Sequence, residues 1–142
     1  MQVRCRIGDT LMGGEILPEH VIHTDAAPNA IGPYSQAIQT DTMVYTAGQV
    51  GFDPATSKMV DGGIEEQTHR ALTNIKAILE AAGTSMERVV KTTVFMTDLG
   101  QFSAMNQVYA TFFSSNPPAR STVEVSALPA GALLEIEAVA QR

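Results

Sequence analysis

A chain of 142 residues, 44% of them apolar, is long enough to bury roughly two thirds of its unfolded surface as a single domain without help from disulfides or metal. Its net charge of -6 is spread along the sequence with no run of Lys or Arg to displace counterions from a phosphate backbone, which argues against a nucleic-acid partner. Cys5 is the only cysteine, so no intrachain disulfide forms, and no apolar stretch approaches the roughly 20 residues of a membrane span.

Residues 1–20 lack the compact apolar centre of a secretory signal, and Asp9, Glu15 and Glu19 offset Arg4 and Arg6. They read as an N-terminal extension or an extra edge segment ahead of a single domain at 21–142; the expected location is cytoplasmic, with mitochondrial import as the lesser alternative. Gly, Pro and polar clusters at 26–33, 51–63 and 114–118 punctuate the chain but are too short to separate domains. Residues 42–50 are β-branched and aromatic-rich and predict a strand, which residues 36–40 pair across a turn at Asp41.

From Ile64 the apolar positions Ala71, Leu72, Ile75, Ile78, Leu79 and Ala82 fall on one helical face, with Glu65 and Glu66 at the positive end and Gly83 as the stop. Alternation over 88–97 predicts a returning strand. Asp98 and Gln101 have capping-box spacing and open a second helix with the stripe Phe102, Met105, Tyr109 and Phe112. Residues 119–125 and 133–140 predict two final strands, joined as a hairpin about Pro129 to Gly131. Two helices can cover only one face of a sheet of about six strands, so the other face calls for a second copy of the chain.

Strand alternation puts Arg120, Thr122 and Glu124 on one face of the first of these strands, and Glu135, Glu137 and Val139 together on the next. In the expected hairpin Arg120 and Glu135 share a site. A guanidinium fork donates two parallel hydrogen bonds to a carboxylate, and a nearby glutamate orients or deprotonates water. Pattern alone leaves open a plain ion pair between the two strands. His20, His23 and His69 are too scattered for a metal site, and the glycines at 48, 51, 62 and 63 lack a phosphate-loop lysine or dinucleotide fingerprint.

The segments Ile31-Gly32-Pro33-Tyr34-Ser35-Gln36-Ala37, Thr46-Ala47-Gly48-Gln49, Val90-Lys91-Thr92-Thr93-Val94, Pro118-Ala119-Arg120-Ser121 and Glu135-Ile136-Glu137-Ala138-Val139-Ala140 occur in this order. Together they make the chain, from about residue 21 to its end, resemble the reactive intermediate deaminase family, RidA, also called YjgF or L-PSP.

That resemblance implies a chorismate-mutase-like α+β fold, a mixed sheet with two helices on one face, assembled as a homotrimer with sites between subunits. It also implies hydrolysis of 2-iminobutanoate and 2-iminopropanoate, formed by pyridoxal-phosphate enzymes, to 2-oxo acids and ammonia, with no cofactor and no metal. Arg120 matches the family's carboxylate-binding arginine, Glu135 the water-positioning glutamate, Tyr34 the tyrosine closing over the ligand, and Gly48 the backbone donor beside the substrate carboxylate. Asn106 matches an asparagine near the cleft, and a backbone carbonyl near Thr122 helps hold the attacking water.

Plainer readings stay open: Tyr34 as a turn aromatic, Asn106 as a solvent-facing helix residue, Gly48 as a site of close strand approach. Ala47 stands where many relatives have Ser, and Thr122 where several have Cys. The extension at 1–20, with Cys5, inherits nothing. Two alternatives accompany the deaminase reading: an endoribonuclease or translation inhibitor acting on RNA, and a trimer that binds small carboxylates without turnover.

Overall fold

The long helix α1 (Ile64–Ala81) forms where the 3.6-residue periodicity places it, burying Ala71, Leu72, Ile75, Ile78 and Leu79 completely. The Glu66 carboxylate accepts a 2.8 Å hydrogen bond from Gly63 N–H, and the backbone donors of Glu66 and Gly63 hold its carboxyl below the usual carboxylate range. The helix stops at Gly83, whose φ of 77° is left-handed. The computed structural model describes residues 20–142, so the extension expected at 1–20, apart from His20, lies outside the described residues, as does Cys5.

The other elements are β1 (His20–Ile22), β2 (Ala37–Gln39), β3 (Met43–Thr46), β4 (Phe52–Asp53), β5 (Lys58–Met59), β6 (Val89–Met96), α2 (Phe102–Phe112), β7 (Ala119–Glu124) and β8 (Leu134–Gln141). Six strands make one sheet in the order β1-β2-β3-β8-β6-β7, and β4 and β5 pair separately. All neighbours in the large sheet are antiparallel except β6 and β7. Both helices pack on one face, against Val44, Val94, Met96, Leu134, Ile136, Ala138 and Ala140. This is the mixed-sheet α+β arrangement expected from the sequence.

Among the described residues no helix covers the opposite face. Glu135, Glu137 and Val139 of β8 lie on it, beside Lys91, Thr93 and Phe95 of β6. Tyr45, 47% exposed, and Val123, 42% exposed, extend it with apolar surface.

Four local expectations need correction. The hairpin of the last two strands does not exist: β7 pairs in parallel with β6, and β8 inserts between β6 and β3. The α2 crossover explains this, because a helix between two strands allows them to run parallel side by side. The strand expected over 42–50 ends at Thr46, whose Oγ1 takes the Ala138 N–H at 3.0 Å in place of a backbone carbonyl.

Asp98 caps a short 3₁₀ turn at Leu99–Gln101, with Oδ1 accepting from Gly100 N–H at 2.7 Å, so α2 starts later, at Phe102. Within the stripe read as core, Met105 and Tyr109 are buried but Phe102 is 37% exposed.

Candidate active site

Where β3 leaves β8 at Thr46, the chain bows outward through Ala47 and Gly48 and returns at Gln49, which exchanges two backbone hydrogen bonds with Ile136 at 2.8 and 3.0 Å. Ala47 N–H donates to Gln36 O at 2.9 Å, while Gly48 N–H has no partner among the described residues. The bow lays Gly48 directly on the Glu135 side chain, and a Cβ at Gly48 would collide with the carboxyl group. The glycine expected to mark a close strand approach does so, against the glutamate expected to handle water.

Glu135 and Gly48 line a cavity of about 300 Å³ together with Tyr34, Ala47, Gln49, Val50, Phe52 and Pro129, and its far wall is Pro28, Asn29, Ile31 and Gln36. Among the described residues no Lys or Arg lines it. Burial is the main reason that the Glu135 carboxyl titrates above the usual carboxylate range, and the negative charge of Glu137 adds to it. Tyr34 is half-exposed at the mouth, its hydroxyl accepting from Ile31 N–H at 3.3 Å.

Three buried amides fix the walls. Gln36, 2% exposed, accepts from Thr24 N–H at 2.7 Å and donates to the carbonyls of Thr24, Ala27 and Pro28. Asn74 donates to Val50 O and Phe52 O at 3.3 and 2.9 Å, and Gln67 Oε1 accepts from Leu133 N–H at 2.9 Å, just before Glu135. Because these groups are satisfied, the cavity is held in shape without ligand. Sequence reading caught Gln36 only as part of a motif and missed Asn74 and Gln67; polar residues on the apolar face of α1 were the available signal.

Arg120 lies elsewhere. Its register partner on β6 is Thr92, whose partner on β8 is Ala138, so Arg120 and Thr122 share the helix-covered face while Glu135 occupies the open one. The two are separated by roughly 10 Å along the sheet, two strand spacings and the sheet's thickness. The expected shared site is therefore not formed within one chain, and neither is the plain ion pair.

The Arg120 guanidinium instead rests over the rings of Tyr109, at 4.6 Å, and Phe102, at 5.5 Å. No carboxylate pairs with it among the described residues. Thr122 Oγ1 is buried without a hydrogen-bond partner among the described residues. Asn106 sits on α2 one turn from Phe102 and three residues from Tyr109, and does not line the Glu135 cavity. The expected residues thus fall into two groups: Tyr34, Ala47, Gly48 and Glu135 at the cavity, and Asn106, Arg120 and Thr122 at the α2 edge. Among the described residues no cluster of His, Cys, Asp and Glu could hold a metal ion, and no helix is long and apolar enough to cross a membrane.

A six-stranded mixed sheet with both helices on one face and a glutamate-lined cavity on the other defines a YjgF-like α+β protein of the chorismate-mutase-like class. Residues 24–142 match the family described as Endoribonuclease L-PSP, and the chain belongs to that family, the RidA/YjgF/L-PSP family. It is 51% identical to protein DfrA of Myxococcus xanthus over 121 residues, which span 84% of this chain and 92% of that protein. It is 49% identical over 120 residues to the 2-iminobutanoate/2-iminopropanoate deaminase of Mus musculus, covering 84% of this chain and 89% of that protein. The crystal structure of E. coli TdcF with bound serine superposes with a TM-score of 0.84 at 42% identity, over 87% of this chain and 99% of that one.

Proposed function

We propose that this protein is a cofactor-independent 2-iminobutanoate/2-iminopropanoate deaminase that works as a homotrimer, with each site built between two subunits. The observation that carries the reading is the half-buried Glu135 carboxyl, with its raised pKa, pressed against Gly48 in a cavity of about 300 Å³. Among the described residues, a cavity holding an acid but no cation, and a cation paired with no acid, are complementary halves. A neighbouring copy covering the open sheet face supplies Arg120, Thr122 and Asn106 to the Glu135 cavity. The deaminase named in Mus musculus, at 49% identity, supports the same chemistry.

In this mechanism Arg120 grips the substrate carboxylate with two parallel hydrogen bonds, and the unpartnered Gly48 N–H donates a third. Water held by Glu135 and a backbone carbonyl near Thr122 attacks C2 of the protonated imine, and Glu135 takes a proton from it. The same carboxyl returns that proton to nitrogen in the tetrahedral amino alcohol; ionised again, it takes the hydroxyl proton as the C–N bond breaks, so ammonia leaves and the 2-oxo acid forms. A raised pKa suits a carboxyl that must both accept and return a proton near neutrality. Tyr34 restricts solvent at the mouth, and the electrophilic iminium needs no covalent nucleophile.

The test is ammonia release from 2-iminobutanoate generated in situ by a threonine dehydratase. Acceleration over the uncatalysed rate, lost in Glu135→Gln, is expected; wild-type protein that binds 2-oxobutanoate without accelerating hydrolysis would leave only the carboxylate-binding reading, to which Ala47 lends its one missing hydroxyl. An RNA titration across salt concentrations tests the remaining alternative, and a net charge of -6 leads us to expect no salt-sensitive binding.

A further inference from the structure

Arg120 is held in an unusual way for a charged residue on a half-covered face. It makes no ion pair among the described residues and lies instead on two aromatic rings, Tyr109 at 4.6 Å and Phe102 at 5.5 Å from their centroids. The lower ring is itself pinned: Tyr109 is 6% exposed, and its hydroxyl shares a 2.7 Å hydrogen bond with Thr92 Oγ1, a residue 1% exposed at Arg120's own register position on β6. Tyr109 also packs on Phe113, with centroids 4.7 Å apart, so its ring has a fixed floor. Phe102 is the first residue of α2 and remains 37% exposed, a position that core packing does not explain.

We infer that Phe102 and Tyr109 form an aromatic cradle that positions Arg120 for a carboxylate ligand, with Thr92 fixing the orientation of the Tyr109 ring. This rests on the reading of Arg120 as the carboxylate clamp and adds positioning residues to it. The physical reason lies in how a guanidinium can be held. A carboxylate partner would occupy the N–H edge and would have to be displaced by every ligand, whereas an aromatic ring engages the flat face and leaves that edge for bidentate recognition.

Stacking also restricts a long side chain that would otherwise lose its rotamer freedom on binding, so the cradle removes part of that entropic cost in advance. Tyr109 keeps its proton because burial raises its pKa, an effect that the hydrogen bond from Thr92, and the charge and a hydrogen bond of Arg120, only partly oppose. It therefore remains a neutral ring platform at neutral pH.

The experiment measures 2-oxobutanoate binding by titration calorimetry and, separately, KM and kcat for imine hydrolysis. The variants are Phe102→Leu, Tyr109→Phe and Tyr109→Leu, each made alone and combined with Arg120→Ala. Phe102→Leu changes a partly exposed side chain and so keeps the test alive if Tyr109→Leu fails to fold. Loss of one cation–π contact is expected to weaken binding by roughly 3- to 10-fold, with KM rising similarly and kcat changing less. Tyr109→Phe, which keeps the ring but frees it from Thr92, should fall between wild type and Tyr109→Leu.

In the Arg120→Ala background the same changes should have no further effect on affinity. Unaltered affinity in folded Phe102→Leu and Tyr109→Leu, or equal losses with and without Arg120, would overturn the cradle while leaving a deaminase intact. Wild-type protein that binds 2-oxobutanoate in a cradle-dependent manner yet releases no ammonia would sink the deaminase reading and uphold the cradle.

Discussion

Replacing Gly48 by Ala tests the contact on which the proposed chemistry depends. The added Cβ would lie 2.9 Å from Glu135 Cγ and 2.7 Å from Cδ, and closer still to Oε1. All three atoms belong to a side chain that can rotate, so the carboxyl yields and the sheet does not. The strain, about 1 kcal/mol at the low end for added volume, is largely offset by the loss of glycine's freedom in the unfolded chain, about 0.4–1 kcal/mol.

Gly51→Ala provides the contrast, because its Cβ would meet Gln67 Cα at 2.9 Å, in the backbone of α1, which cannot rotate away. That change should cost about 1–3 kcal/mol and lower Tm by roughly 3–12 °C. Turnover should order the two the other way: displacing Glu135 removes acid–base assistance worth about 10²- to 10⁴-fold, so Gly48→Ala is expected to lose at least 10²-fold in kcat. Thermal melts and ammonia release on the same preparations check both. A Gly48→Ala protein within a few-fold of wild-type turnover, or one less stable than Gly51→Ala, would refute the claim that this glycine exists to admit the carboxyl.

Glu135→Gln should separate stability from activity. Burial, and secondarily Glu137, raise the folded pKa of Glu135 above its unfolded value near 4.5, so its contribution to stability is present below that value and lost as pH rises through the folded one. The variant should therefore melt higher than wild type at neutral pH, with the gap closing as pH falls toward 4.5, while imine turnover collapses. Mixing Arg120→Ala and Glu135→Gln subunits after co-refolding should restore about a quarter of wild-type activity if each site draws on two members of a ring of three, and none if each chain serves itself. Arg120→Lys keeps the charge but loses the fork, and is expected to raise KM about 10-fold or more with the melting curve unchanged. Gln36→Leu strands the Thr24 N–H and the carbonyls of Thr24, Ala27 and Pro28, and should cost about 2–4 kcal/mol, read as a Tm loss of roughly 10 °C.

Much of this fold was written in periodicity. The run from Ile64 to Leu79 repeats at helical spacing because one face of α1 is wholly buried, and the alternation in β6, β7 and β8 assigned side chains to faces correctly because a pleat allows no other arrangement. Strand neighbours are another matter, since pairing depends on contacts remote in sequence. Adjacency of the last two strands and a Pro–Gly turn suggested a hairpin, and Ala130 and Gly131 do turn the chain with φ of 54° and 67°. Yet the order β6, α2, β7 is itself a crossover unit, which favours parallel pairing of its two strands. β8, with Leu134, Ile136, Ala138 and Ala140 against the helices, was then free to pair on both edges as the central strand.

The misplaced hairpin matters more for the site than for the fold. Two adjacent strands with Arg120 and Glu135 in one crevice would form a neutralised pair, and a neighbouring guanidinium would lower the glutamate's pKa. Its pKa instead lies above the usual range, with burial and then Glu137 both raising it, as befits a carboxyl that no cation among the described residues compensates. Arg120 tells the same story from the other face, resting on rings and paired with no carboxylate among the described residues. Neither group pairs with the other within its chain, so in the proposed two-subunit site a ligand carboxylate has no Arg120–Glu135 ion pair to break. Sequence could name both residues through resemblance, but it could not place them on opposite faces of one sheet, because that depends on which strand β7 joins.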